Sequence, residues 1–455
     1  MEFIFECFYE DTLDKLSRSG LQDRSSRRDV LDHLNAIIGG CSDGQNMLPE
    51  EVARIAVLAA VRYHRDKKDA NGDVCLMGKF HNILYIALRT CWDWGVRDSA
   101  VVVVLLEEIY ACEKTFERIF LGALFGPHAP HFIAGWRSDF RDQDENTRAM
   151  VYFLHHATSL DMTLPVWIAR YEQERMLKFI DIPIESCGRS SPLRVALQAS
   201  APDLLLILLR YGAEPNPPDG GSSAVLALLD KLTENGRNYL YQNVSCLQIL
   251  LRNIPLVEMP YKPIIYSTRR EMFFERYGRL LIDKILKKEQ VYGVMSLRHL
   301  CRCRIRDLLR SNGQLPEGID TLRLPRRLQR YIDLMEEIEG PETSNDDGND
   351  DVKDLVKQVA MRKPKKPLKY SANNLASVGD NQNVTAPVIT ITSAERDVDS
   401  MDGNNDSSHN RNSSNSSSNT GSSSSSSNSN GRVSNVCVTE GENTAGTVLD
   451  KPLEI

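Results

Sequence analysis

Apolar positions recur every three to four residues through the first part of the chain. In "EEVARIAVLAAVRYH" (50–64), Val52, Ile55, Ala56, Leu58 and Ala59 keep helical spacing. "HNILYIALRTCWDWG" (81–95) and "SAVVVVLLEEIYACEKTFERIFLGALFG" (99–126) repeat the pattern, and each ends at a glycine. "TRAMVYFLHHATSLDMTLPVWIARYEQERMLKFI" (147–180) continues it, with little alternation of the strand type. These runs predict an all-α N-terminal region over residues 1–160. A further amphipathic helix is predicted in "RREMFFERYGRLLIDKILKKE" (269–289), with Met272, Phe273, Tyr277, Leu280, Leu281 and Ile285 on one side. From about Pro341 onward, apolar residues almost vanish and "NSSNSSSNTGSSSSSSNSN" follows. Such a tail cannot bury enough apolar surface to offset its ordering entropy, so residues 337–455 read as disordered.

One segment has a more specific shape. In "SSPLRVALQASAPDLLLILLRYGAEPN" (190–216), Ser191 and Pro192 open a short helix, Pro202 and Asp203 open a second, and Gly212 stops it. Ala196 is small where two antiparallel helices touch, and Leu208 and Leu209 face a neighbouring unit. This segment resembles an ankyrin repeat: Ser191, Pro192, Leu193, Ala196, Leu208, Leu209, Gly212, Ala213 and Asn216 fall in that register without a gap. Arg194 stands at the usual His and Ser200 at the usual mid-repeat Gly. "SSAVLALLDKL" (222–232) and "CLQILLRNIP" (246–255) read as a second unit with an insertion between its helices. "LPVWIARYEQERMLKFIDI" (164–182) reads as a degenerate third unit, and "HNILYIALRT" as part of another. One repeat cannot bury both its faces, so the N-terminal helices form the expected stack. The repeats are assigned to 161–262 and a linking helix to 263–290.

The next helix starts at Ser296, a good N-cap. Leu297, Cys301, Ile305 and Leu308 line one face, widened by Leu300 and Leu309, while Arg302, Arg306 and Arg310 take the other side. Arg298 and Arg304 fall within the apolar half. Cys301 and Cys303 are two apart and point roughly 200° from each other on a helix, with no second Cys/His pair at ligand spacing nearby, so no metal is expected there. Base-stacking aromatics are lacking too, which disfavours nucleic acid. Taken alone, this stretch also fits a helix that merely closes the repeat stack. A loop and a proline-punctuated step follow, then a short helix with Leu328, Tyr331 and Ile332 inward.

Residues 296–334 as a whole resemble a SOCS box. Ser296, Leu297, Cys301 and Ile305 match its elongin-binding helix. Ile319, Leu322, Leu324, Pro325, Leu328 and Tyr331 match the second half, with Arg323 where the first proline of a Leu-Pro-Leu-Pro step usually stands. The resemblance implies a three-helix box over 291–336. Its elongin C-binding residues would be Ser296, Leu297, Leu300, Cys301 and Ile305, and its cullin-binding residues Leu322, Leu324, Pro325 and Leu328. The implied partners are elongin C, elongin B, cullin-5 with its RING partner, and an unidentified target protein. The chain would be an ankyrin repeat and SOCS box receptor that works by proximity, with no catalytic group and no cofactor. By analogy with ankyrin fingers, Glu214, Pro215, Asn216 and Asp219 are the target-contact candidates. Two other readings are an ankyrin scaffold without ligase activity, whose C-terminal helices only cap the stack, and an enzyme with a site in the N-terminal helices.

Composition changes this picture little. The chain has 455 residues, is 41% hydrophobic and carries a formal charge of −7, which argues against wholesale nucleic-acid binding. Glu2 and Glu6 stand where a secretory leader would carry basic residues, and the longest apolar run, Ala100–Leu106, is too short to span a bilayer. A cytoplasmic protein is expected, with Arg362–Lys369 as a candidate nuclear-import signal beside the plainer reading of a solvated charge run. The ten cysteines read as small buried hydrophobes. His128 with His131, and His155 with His156, read as loop or surface histidines. "DANGD" (69–73) reads as a polar turn, since the later glutamate of a calcium loop is missing. Neither a nucleotide-binding glycine loop nor a Gly-x-Ser-x-Gly nucleophile motif occurs.

Overall fold

The computed structural model describes residues 1–126, 137–216, 223–234, 236–258 and 269–335. His128, His131, Asp219, Arg362–Lys369 and the Ser/Asn-rich tail lie outside the described residues. Among the described residues, seven α-helices make the N-terminal block: α1 (Glu2–Asp14), α2 (Arg24–Gln45), α3 (Pro49–Asp69), α4 (Lys79–Trp94), α5 (Ser99–Glu113), α6 (Glu117–Phe125) and α7 (Gln143–Ser159). The helix α3 starts with Pro49 at its first turn and carries alanines at 53, 56, 59 and 60, all fully buried, which lets α1, α2, α4 and α5 pack closely around it.

The stretch 164–182 corrects the reading of a helical repeat unit. It is an antiparallel hairpin, β1 (Thr163–Ile168) and β2 (Gln173–Lys178), with Thr163 opposite Lys178 and Ile168 opposite Gln173. Leu164, Val166 and Ile168 point inward and are buried, while Trp167 is exposed. The physical reason is Pro165, which would break a helix interior but is tolerated in a strand with a free edge. Its carbonyl accepts a 2.7 Å bond from the Tyr110 hydroxyl of α5.

Two antiparallel helix pairs follow: α8 (Pro192–Gln198) with α9 (Pro202–Arg210), and α10 (Ala224–Glu234) with α11 (Tyr241–Asn253). The last begins five residues before the expected Cys246, absorbing part of the supposed insertion. Ser191 caps α8, its hydroxyl accepting from the Arg194 amide at 3.4 Å. Ala196, Leu208 and Leu209 are fully buried. Ser200 adopts the left-handed conformation (φ 54°) that a glycine would take more freely. Its hydroxyl donates to Asn243 Oδ1 at 2.7 Å and accepts from Lys231 Nζ at 2.9 Å, bonds a glycine could not make. The amphipathic helix α12 (Arg269–Ile282) packs on α10 through buried Phe273, Tyr277 and Leu280.

Three short elements complete the described chain: α13 (Leu297–Ser311), α14 (Gly318–Thr321) and α15 (Arg326–Ile332). They share a small apolar core of Leu309, Leu315, Ile319 and Ile332, with Ile305, Leu322 and Leu324 packed against it.

Candidate functional site: the two faces of helix α13

Helix α13 is amphipathic with its faces reversed relative to the body it lies on. Ser296 caps it, the hydroxyl accepting from the His299 amide at 3.3 Å. The side turned toward α11 and α15 is polar. His299, Arg302, Cys303 and Arg306 are buried there with Leu309. The apolar side points away: Leu297 is 76% exposed, Leu308 47% and Leu300 40%, and Cys301 is exposed too. Val294, just before the cap, is 92% exposed and extends the ridge by another apolar side chain.

The inward face is held by hydrogen bonds and ring stacking from its basic side chains. Arg306 is 3% exposed. Its Nη1 donates to the Ile332 carbonyl at 3.0 Å, its Nη2 to the Leu209 carbonyl, and its Nε to Asn253 Oδ1 at 2.9 Å. Those carbonyls belong to the last turns of α15 and α9, where helix carbonyls lack intrahelical partners and carry partial negative charge. One guanidinium thus joins the ends of two helices and the side chain of a third element. Burial lowers its pKa to about 10, which leaves it charged at neutral pH. His299 Nε2 lies 2.9 Å from the Ile254 carbonyl and Nδ1 lies 2.9 Å from Arg302 Nη2, so the ring donates from Nε2 and accepts at Nδ1. Arg298 and Arg302 both stack on Tyr331, 3.9 and 4.2 Å from its ring centre.

Ion pairs extend the seam. Arg310 bonds Glu214, and Arg210 holds Asp333 at 2.7 Å. His155 contacts Glu317 at 2.8 Å, and Lys178 reaches the Arg310 carbonyl at 2.7 Å. Gly212 (φ 87°) stops α9, and it also leaves room for the box. An added Cβ there would sit 3.3 Å from Arg310 Cγ and 3.4 Å from Leu315 Cδ1.

The structure therefore brings Ser296, Leu297, Leu300 and Cys301 to one open surface. Ile305 is half-buried and links that surface to the small core behind it. Leu322 and Leu324 are likewise half-buried, while Pro325 and Leu328 are exposed, so of the three residues expected inward on α15 only Tyr331 and Ile332 are buried. Glu214 differs from the expected free fingertip: its carboxylate faces Arg310, and its amide donates to Asp181 at 2.9 Å. Pro215 is half-buried, and Asn216 is exposed. Of the histidine pair read as surface groups, His155 is half exposed and paired, but His156 is buried with Nδ1 2.8 Å from Ser99 Oγ. Sequence reasoning missed the roles of Arg302 and Arg306 as inward-facing anchors. The only signal was their spacing of four on the side opposite Leu297, which solvent-exposed arginines share.

Residues 293–333 match the family model of the SOCS box. No curated protein and no solved structure matches the chain.

Proposed function

We propose that this chain is a substrate receptor of an elongin–cullin ubiquitin ligase. One observation supports this reading above the rest. A helix inside the SOCS-box match turns Leu297, Leu300 and Leu308 outward and buries Arg302 and Arg306. Burying a leucine contributes about 1.5–3 kcal/mol, so four apolar side chains in water are costly unless a second molecule covers them. In this reading elongin C covers Leu297, Leu300 and Cys301 as a helix-in-groove contact, with elongin B behind it. Leu297 fills a pocket and Cys301 lies flat at its rim.

The exposed Pro325 and Leu328, beside Leu322 and Leu324, then form the cullin-facing step, and cullin-5 with its RING partner is the reading favoured by Leu324-Pro325. The helix pairs α8–α9 and α10–α11 act as degenerate ankyrin repeats that, with the N-terminal block, hold the target, and Asn216 is the contact candidate left at the surface. The chain supplies proximity in the cytoplasm, with the chemistry left to its partners. A non-ligase scaffold would need no outward ridge.

Affinity purification of the full chain from cells tests the reading. Elongin B, elongin C and a cullin should accompany the wild type and be lost from the Leu297→Ala/Cys301→Ala variant. Recovery of the wild-type chain without elongins would sink the ligase reading and favour the scaffold.

A further inference from the structure

The N-terminal block gathers four side chains that sequence spacing does not connect. His64 lies on α3, Cys75 in the turn between α3 and α4, His81 in the first turn of α4, and Cys112 at the end of α5. Their ligand atoms all lie within 4.8 Å of one another. His64 Nε2 is 3.3 Å from Cys75 Sγ and 3.6 Å from Cys112 Sγ, and Cys75 Sγ is 3.8 Å from His81 Nδ1. A tetrahedron with metal–sulfur bonds near 2.3 Å and metal–nitrogen bonds near 2.0–2.1 Å has edges of about 3.3–3.8 Å. These three separations fall in that range, and the remaining pairs lie within 4.8 Å. We propose that His64, Cys75, His81 and Cys112 form a closed tetrahedral site for a structural zinc ion.

The surroundings support ligation over a chance cluster. Each imidazole has its second nitrogen on a carboxylate: His64 Nδ1 lies 2.8 Å from Glu108 Oε1, and His81 Nε2 lies 2.8 Å from Glu113 Oε1. Those bonds fix the ring protons on the outer nitrogens, so the lone pairs of His64 Nε2 and His81 Nδ1 point at the two sulfurs and the space between them. The carboxylates are held in turn, Glu108 by Arg65 Nε at 2.6 Å and Glu113 by the Tyr85 hydroxyl at 2.7 Å and Arg118 Nη2 at 3.1 Å. The Met77 amide donates to Cys75 Sγ at 3.4 Å, and Met77 accepts a left-handed backbone (φ 57°) at that position.

Charge also balances. On binding, the two thiols release their protons to solvent, and two thiolates neutralise the divalent ion. Two carboxylates face two guanidiniums outside. Mixed sulfur–nitrogen tetrahedral ligation favours zinc over magnesium or calcium, and four protein ligands leave no open position for catalysis. The site would tie residues 70–78 to three helices of the block. On this proposal Cys75 and Cys112 are ligands, unlike the small buried hydrophobes that the sequence suggests. Cys75 and Cys112 are 37 residues apart, and only the α3–α4–α5 packing unites them.

The test is metal analysis of the purified full chain. One zinc per chain should survive gel filtration, and zinc-edge absorption should show two sulfur and two nitrogen neighbours. The Cys75→Ser/Cys112→Ser variant should lose the metal, while Cys7→Ser retains it. Because the double variant could misfold, Glu113→Gln provides the second arm: the ligands stay, and zinc retention against a chelator should weaken roughly 10- to 100-fold. A folded chain that neither carries zinc nor takes it up from added zinc chloride overturns the proposal. So does a bound zinc with no sulfur in its shell.

Discussion

Asp181 shows how much a single buried group can carry. Its Oδ1 accepts the Glu214 amide at 2.9 Å inside the body. Burial raises its pKa to about 7, against the opposing pull of Arg310 and Lys178. The folded chain therefore holds this proton more tightly than the unfolded chain does. The Asp181 contribution to stability falls as pH rises from the ordinary carboxyl range to about 7 and is flat above. Asp181→Asn keeps the acceptor and removes the charge. It should raise the melting temperature at pH 8, and the gain should shrink toward pH 5; a pH-independent effect in thermal melts would refute this assignment. The residue scale is also where the sequence was least legible. Ser200 could be identified at a glycine position, but not its bonds to Asn243 and Lys231, 43 and 31 residues away.

At the scale of elements, local pattern predicted most of what formed. Helical spacing located α3, α4 and α5, and Ser191, Pro192 and Gly212 marked the helix pair they bound. The hairpin at 163–178 departs from the helical expectation: its apolar content fits a helical unit, and Pro165 decides against a helix interior. Helix α13 was half legible. Periodicity separates its two faces, but which face meets the body depends on the carbonyl ends of α9 and α15, which no local window contains. That dependence makes Arg306 the anchor of the element. Arg306→Ala removes the donor from the Ile332 carbonyl and from Asn253, while the Leu209 carbonyl keeps the Gly212 amide, and it should cost about 1–3 kcal/mol for each acceptor left unpaired, read in denaturant titration. Arg306→Lys should rescue little, because an ammonium cannot span the three acceptors. A cost below about 1 kcal/mol would contradict the role of Arg306 as the anchor of the element.

For the whole molecule, the described residues form one compact unit, within which the box is fixed by charge and the ridge is left open. Arg306, Arg310, Arg210 and Lys178 fasten α13 and α15 to the α8–α9 helix pair and the hairpin, so the direction in which Leu297 points is set by the body. The proposed receptor role needs that rigidity, since a receptor must hold a target at a fixed distance from the transferring machinery.

The most direct check is cysteine alkylation of the purified full chain, read by mass spectrometry with and without the elongin B/C heterodimer. Cys301 lies on the open ridge and Cys303 on the buried face, with exposed Cys7 as an internal reference. Cys301 should label as fast as Cys7 in the free chain and become protected when elongin B/C is added, while Cys303 stays slow throughout. Protection of Cys301 in the free chain, or labelling unchanged by a stoichiometric excess of elongin B/C, would contradict the outward ridge and its partner.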